Sequence, residues 1–285
     1  MKLIKPYYEI IEPTGYTIED VYKSIELAGK VSHKSEHTIK EGSAKEFVDR
    51  IINWGHNSCL EFGTVYLTIP WNTVDNNLWC EQYALNPYSR VVDNPTSKCS
   101  HITTNYRVIL ENKWEDSLQW LCGPTEYHIK RYCVKFVCSR SISHEFVRHR
   151  KFSFMQESQR YCRYSGNKFN NEVTFIEPCW AYIDMFKEDP GITAEQEKNI
   201  SASAILFEQL ERAEKAYLEL IERGWKPEQA REVLPNATKT ELYMCGFSTD
   251  WTDFFRLRDD KQHAHPQAYE LTHPIHKEFI KRNYL

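Results

Sequence analysis

Hydrophobic and polar positions divide the chain into a strand-rich first part and a helical last part. Leu3–Ile11 reads as a strand that ends at Pro13-Thr14-Gly15. Thr17 then caps a helix whose Ile18, Val21, Ile25 and Ala28 share one face. Ser43 and Glu46 have capping-box spacing for a second helix, with Phe47, Ile51 and Trp54 turned to the core and Gly55 as its stop. Val65, Leu67 and Ile69 alternate with Thr64, Tyr66 and Thr68, the pattern of a strand with one buried face. Between Trp71 and Lys130 the pattern loosens: Asn86-Pro87 and Asn94-Pro95 mark loops, His101–Leu110 is a strand candidate, and Gly123-Pro124 is a break.

Alternation returns at Tyr132, Val134, Phe136 and Cys138. A short helix follows, capped by Ser139 or Ser141 and running into Arg148-His149. Glu172–Ile176 is a further short strand, stopped by Pro178. The remainder reads as helical. Thr193 and Gln196 form a capping box for a helix that runs to Arg223 and stops at Gly224. Pro227 suits the first turn of the next helix and Pro235 limits it; others follow Asp250 and begin at Pro266. Strands first and helices later predict an α+β fold, with a mixed or antiparallel sheet and a mainly helical C-terminal part.

Composition narrows the class. A chain of 285 residues, 41% hydrophobic and 27% charged, has material for a sizeable core in one large domain or two small ones. A net charge of −4 argues against a dedicated nucleic-acid binder, so any anion site is local. Nine cysteines without a C-x-x-C pair suit free thiols in a reducing compartment better than a disulfide or zinc scaffold. The N-terminal stretch lacks a signal core and no run reaches membrane-spanning length, which predicts a soluble, cytoplasmic protein with no membrane partner.

Several chemistries are excluded by missing motifs. No G-x-G occurs, so neither a Rossmann nor a kinase glycine loop is available, and Walker A and G-x-S-x-G sequences are absent too. His144-Glu145 followed by His149 nearly imitates a zinc-protease helix. Residues five apart diverge by about 140° on a helix, so the two imidazoles would not share a metal. No metal site is predicted there or at His263-Ala264-His265.

The segment from Glu145 to Arg163 carries five Lys/Arg against two Glu within an acidic protein. Arginine holds phosphate through a planar fork of donors and stacks on flat rings. If the chain after Arg150 is extended, Gln156, Ser158 and Arg160 share one face, and an amide, a hydroxyl and a guanidinium together suit a nucleotide. Arg148 and Arg150 point apart and could serve two ligands. The alternative is a solvated basic face or ordinary ion pairing.

Order, more than charge, carries the next step. Arg148-His149-Arg150, seven residues, then Ser158 and Arg160-Tyr161 resembles the R-H-R-x7-S signature of flavin-dependent thymidylate synthases. Ala28–Ser35 (AGKVSHKS), Gly55–Glu61 (GHNSCLE), Ala230–Pro235 (AREVLP), and Phe255–Arg258 with His263 resemble further blocks of that family, in the same order. The resemblance implies one domain over 1–285, with an insertion at about 71–130. It also implies a homotetramer whose active sites lie at subunit interfaces. There FAD reduced by NADPH, with methylenetetrahydrofolate as co-substrate, converts dUMP to dTMP. The implied roles are as follows. Arg258, the catalytic candidate, sits beside the uracil and stabilises its ionised N3. Glu145 through Arg148 and Gln156, Glu157, Ser158, Gln159 and Arg160 contact dUMP; Ser158 and Arg160 take its phosphate, and Arg231 helps to hold it. His56, Ser58, Arg148, His149 and Arg150 face FAD, with Asp253 and His263 as further candidates.

The sequence departs from the family pattern at Met155-Gln156, at Phe62, and at Phe247-Ser248-Thr249, where N-x-R is expected for flavin; Asp253 replaces the following Asn. Asn105-Tyr106-Arg107, inside the insertion, has residue types that could compensate. Read singly, Gly55 is a helix stop beside a surface His56, Arg231 a partner of Glu228 and Glu232, and Arg258 a partner of Asp259. Two other activities fit the same motifs: a related flavin enzyme that modifies another pyrimidine nucleotide or adds hydroxymethyl, and a non-catalytic nucleotide- or RNA-binding protein.

Overall fold

The computed structural model describes residues 1–73, 76–166, 169–181 and 194–285. The sequence's first strand is two: β1 (Lys2–Ile4) and β2 (Tyr7–Ile11). Pro6, which has no N–H to give a ladder, separates them, and they enter different sheets. Helix α1 (Ile18–Val31) starts as expected, Thr17 and Asp20 closing a reciprocal capping box. Helix α2 (Ser43–Asn53) does not: Ser43 is its first residue, not its cap. The Ser43 hydroxyl instead reaches the buried Glu26 carboxylate of α1 at 2.9 Å. Trp54, expected in the core, is 63% exposed, because the helix has ended one residue earlier and Gly55 turns the chain at φ 70°.

Strand β3 (Thr64–Pro70) follows, buried at Tyr66 as well as at Val65, Leu67 and Ile69. The loosely patterned region adds α3 (Asn76–Leu85), β4 (Arg90–Asn94), β5 (Cys99–Asn105) and α4 (Tyr106–Asn112). His101–Leu110 is thus not one strand. The Asn105 side chain accepts from Val108 N, which caps a helix and stops the strand. An antiparallel sheet, β3-β5-β4, results.

The central sheet is also antiparallel and contains β6 (Arg131–Ser139), with α5 (Arg140–Phe146) capped by Ser139 directly after it. Next come β7 (Ser153–Gln156), β8 (Thr174–Ile176) and α6 (Ala194–Glu222). The expected Thr193–Gln196 cap lies outside the described residues. The short α7 (Pro227–Ala230) precedes β9 (Lys239–Phe247), α8 (Ser248–Arg258) and α9 (Pro266–Lys281). Strand order is β2-β6-β9-β7, and β1 pairs with β8 in parallel.

The expectation of a mainly helical last part does not include β9, a strand at the centre of the sheet. Its residues from Thr240 to Phe247 are buried on both faces, so no period of two marks it. Tyr243 and Cys245 pack toward Ala28, Val31 and Phe62, while Leu242 and Met244 pack toward Trp251, Phe254 and Phe279. The chain is α+β; its two larger sheets are antiparallel and the β1-β8 pair is parallel. Among the described residues no helix is long and apolar enough to cross a membrane, and no disulfide is present.

Candidate active site

Helix α5 joins two polar clusters. Between Arg140 at its start and Glu145 near its end the helix rises about 7.5 Å. At the far end, Arg258 from the last turn of α8 meets Glu145: Nη1 donates to Oε2 at 2.5 Å and Nη2 to the Glu145 carbonyl at 3.1 Å. Its Nε donates to His149 Nε2 at 3.0 Å. A guanidinium has no lone pair to offer, so His149 must accept at Nε2 and carry its proton on Nδ1. Burial first, and the Arg258 charge second, push the His149 pKa down to about 4. The ring stands edge-on to Phe254, with centroids 4.9 Å apart. Asp259 is not the partner of Arg258; it holds His273 and His276 of α9 at 2.8 and 2.6 Å.

The second cluster forms where the chain leaves β7. Gln156, Ser158 and Arg160 were expected on one extended face, but the strand ends at Gln156 and a turn follows. Gln156 Nε2 donates inward, to Ser143 Oγ at 2.9 Å and Thr240 Oγ1 at 3.1 Å. The turn is pinned to the end of α1: Ser158 N donates to Ser32 O at 3.0 Å, and Tyr161 stacks on His33 at 4.2 Å. Ser158 Oγ accepts from Arg160 N at 3.2 Å. Arg160 lies 3.6 Å from Glu228 of α7, which brings Arg231 to the same surface. Arg231 has only Glu232, at 3.9 Å, as ion-pair partner among the described residues. Three segments far apart in the chain, around Ser32, Ser158 and Arg231, therefore converge.

Beneath this turn lies a buried charge network that patterning did not reveal. Lys239 bridges Glu157 at 2.8 Å and Glu241 at 2.6 Å, and Lys34 reaches Glu241 at 2.8 Å. Lys239 and Glu241 are two apart on β9 and share a face, a signal that carries nothing where no strand is expected. Arg140 was also missed, since nothing in its spacing sets it apart from a helix-start residue.

The remaining candidates are more scattered. Arg148 and Arg150 have exposed side chains, and His56 and Ser58 are exposed beyond the end of α2, His56 edge-on to Trp54 at 5.9 Å. Asp253 is engaged locally by Lys151 at 3.0 Å and Arg256 at 3.7 Å, and His263, 77% exposed, by Asp260 at 2.8 Å. Arg107 is held between Glu61 at 2.7 Å and Glu111 at 2.9 Å. Phe247 is buried beneath the Arg90 guanidinium, 4.4 Å from its ring centre. Among the described residues no group of three or more His, Cys, Asp or Glu is placed to hold a metal ion.

Comparison with known proteins was informative in sequence. Residues 128–282 match the model of the family described as thymidylate synthase complementing protein, Thy1. A flavin-dependent thymidylate synthase of Pyrococcus furiosus is 35% identical over 160 residues, 55% of this chain and 59% of that protein. One from Geobacter sulfurreducens is 32% identical over 120 residues, 42% of this chain and 44% of the relative. The chain spans about half the length of the curated relatives it matches. Among solved structures, a UMP/dUMP methylase PolB from Streptomyces cacaoi aligns over 99% of this chain and 92% of its own, at 16% identity and a TM-score of 0.45.

Proposed function

The chain belongs to the thymidylate synthase complementing protein family, and from that premise we propose that it is a flavin-dependent thymidylate synthase converting dUMP to dTMP. The observation that carries this reading is the set Arg258–Glu145–His149. Three N–H groups of Arg258 are engaged by Glu145 and His149, which leaves two of its five donors free in a fixed orientation. A guanidinium so held stabilises negative charge on a uracil at any physiological pH, without reorganising as that charge develops. Neutral His149 supports the orientation by accepting a hydrogen bond, and its apolar packing keeps it from competing for a proton.

Ser158 and Arg160, with Arg231 beside them, receive the phosphate; Gln156, Glu157 and Gln159 shape the strand end and turn that present them. Glu145 and Arg148 complete the nucleotide contacts. A dinucleotide fits the residues present: Arg148 and Arg150 are exposed and, among the described residues, held by no carboxylate, and His56 and Ser58 add exposed donors. FAD there, reduced by NADPH, supplies hydride, and methylenetetrahydrofolate supplies the one-carbon unit. Asp253 and His263 remain outer candidates on this reading. Buried Phe247 is not available to a flavin, and Asn105 and Arg107 are already committed to a helix cap and to two carboxylates.

We assign residues 1–285 to one catalytic domain with 71–130 as an insertion. The assembly is a homotetramer, in which the exposed Arg148, Arg150 and His56 meet a neighbouring copy.

Incubation of purified protein with NADPH, methylenetetrahydrofolate and either dUMP or dCMP, followed by product mass, tests the activity. The expected product is dTMP from dUMP. Hydroxymethylated product without dTMP would favour the sister activity on this flavin chemistry. A colourless protein that takes up no added FAD would overturn both.

A further inference from the structure

Cys133 of β6 and Cys245 of β9 stand directly opposite each other in the central sheet, and both are free thiols. Opposed residues of an antiparallel pair project from the same face with Cα atoms about 4.5–5.5 Å apart, inside the ~4.4–6.8 Å span that a disulfide bridges. Both side chains pack into the apolar cluster of Ala28, Val31, Phe62 and Tyr243. Among the described strands no other two cysteines are register partners.

The pair also lines a cavity between α1, β3 and the sheet. Pro13 and Tyr16, both exposed, stand at its mouth, while Arg131 and Cys245, 9% and 2% exposed, line its depth. Arg131 gives the cavity its chemistry. It lies two residues before Cys133 on β6 and so shares its face. Its guanidinium donates to the Glu61 carbonyl at 2.9 Å and to Thr64 Oγ1 and Ser153 Oγ at 3.3 Å, and among the described residues no carboxylate pairs with it. The Glu61 carboxylate is taken by Arg107 at 2.7 Å. A buried cation without a counter-ion favours an anion beside it, and the group present to become one is a thiol. The Cys133 thiol first, and Arg131 next, push the Cys245 pKa down against the effect of burial. Cys133 is pushed up by its hydrogen bond to Cys245, so one sulfur keeps its proton where the other yields it. Burial pushes the thiols of Cys59, Cys80, Cys122, Cys138 and Cys179 up.

We propose that Cys133 and Cys245 form a redox site, which a hydroperoxide entering the cavity closes to a cross-strand disulfide and a dithiol reductant reopens. The Cys245 thiolate attacks one peroxide oxygen and breaks the O–O bond, becoming a sulfenic acid and releasing hydroxide, which takes up the proton Cys245 gave up. The Cys133 sulfur then displaces the sulfenic oxygen, which leaves as water with the Cys133 proton. With hydrogen peroxide, two thiols and one peroxide give one disulfide and two waters, and the two sulfurs supply the two electrons. The new bond ties β6 to β9 at the centre of the sheet, and neither step involves the nucleotide or the flavin.

The test treats the purified chain with hydrogen peroxide at neutral pH, blocks the remaining thiols with N-ethylmaleimide in denaturant, and maps the unreduced digest by mass spectrometry. Two of the nine thiols should be lost first, as a Cys133–Cys245 linked peptide that dithiothreitol reverses. Their loss should run roughly ten-fold ahead of the exposed Cys179. Cys133→Ala should leave Cys245 to be trapped by dimedone as a sulfenic acid, and Cys245→Ala should leave Cys133 reduced at the same dose. Circular dichroism checks the folding of each variant, and the wild-type map decides by itself where a variant does not fold. Oxidation of Cys179 while the pair stays reduced would overturn the proposal, as would a link that forms only in denaturant.

Discussion

Glu241→Gln removes the negative charge on which the network under the Ser158 turn depends. Glu241 is 5% exposed; Lys34 and Lys239 donate to Oε1 at 2.8 and 2.6 Å, and Lys135 stands 3.3 Å from Oε2. Burial by itself would raise the Glu241 pKa, but the Lys239 and Lys34 charges and hydrogen bonds outweigh it and hold the carboxyl at about 2. Against an ordinary value of 4.5, that is a folded-state preference worth about 3 kcal/mol at neutral pH. Breaking one partner of a buried pair costs a similar ~3–5 kcal/mol. For a chain of this size the loss corresponds to a fall of about 6–12 °C in melting temperature. The pH dependence follows from the depressed pKa. The stabilisation is complete above the unfolded pKa and is lost as pH falls through the folded value, so wild type should lose stability between about pH 4.5 and 2. Glu241→Gln should be less stable at pH 7 and show a shallower acid slope. Melting curves by circular dichroism at pH 7, 4 and 3 measure both. A variant that melts within about 2 °C of wild type at pH 7, with the same acid slope, would refute the reasoning.

Other expectations are independent of that network. His149 has a pKa depressed from 6.5 to about 4, so the unfolded chain binds a proton that the native state refuses, and stability should fall as pH drops from 6.5 to 4. Discounted for the partial exposure of the ring, the effect is about 1–2 kcal/mol; His149→Phe should flatten stability in that window. Arg258→Ala should lower kcat by roughly 10²–10³-fold with an unchanged oligomer, the scale of losing one charge-stabilising donor group, and wild-type turnover would remove it from the site. Gly55→Ala should cost about 1–2 kcal/mol through backbone strain alone, since φ is 70° and a Cβ would meet nothing within 4 Å. Gly246→Ala acts differently: its Cβ would lie 2.4 Å from the Phe152 ring, so Phe152→Leu should rescue it but not Gly55→Ala, as denaturant titration would show.

Residues with local causes were legible from the sequence. Thr17 caps α1 through Asp20 three residues on, Ser139 caps α5, and Gly55 and Gly224 end helices at positive φ, all within one turn of chain. The ordered blocks around Ser32, His56, Arg148–Arg160, Arg231 and Arg258 were legible for the same reason, as each is a short string. What spans long separations was not. Burial on both faces erased the alternation of β9, and Asn105 chose a helix cap over continuing its strand. The partners of each charge came from elsewhere in the chain. Arg258 lies beside Asp259 in sequence but pairs with Glu145, because α8 and α9 pack so that Asp259 faces His273 and His276. Arg140 lies within electrostatic reach of Tyr164, Arg231 and Glu157, three residues that only packing brings near it. Sequence determined the elements and the chemical inventory, since caps, turns and motif order act over a few residues. Tertiary structure decided which charges meet and which stay unpaired, since those depend on distances that only the folded packing sets.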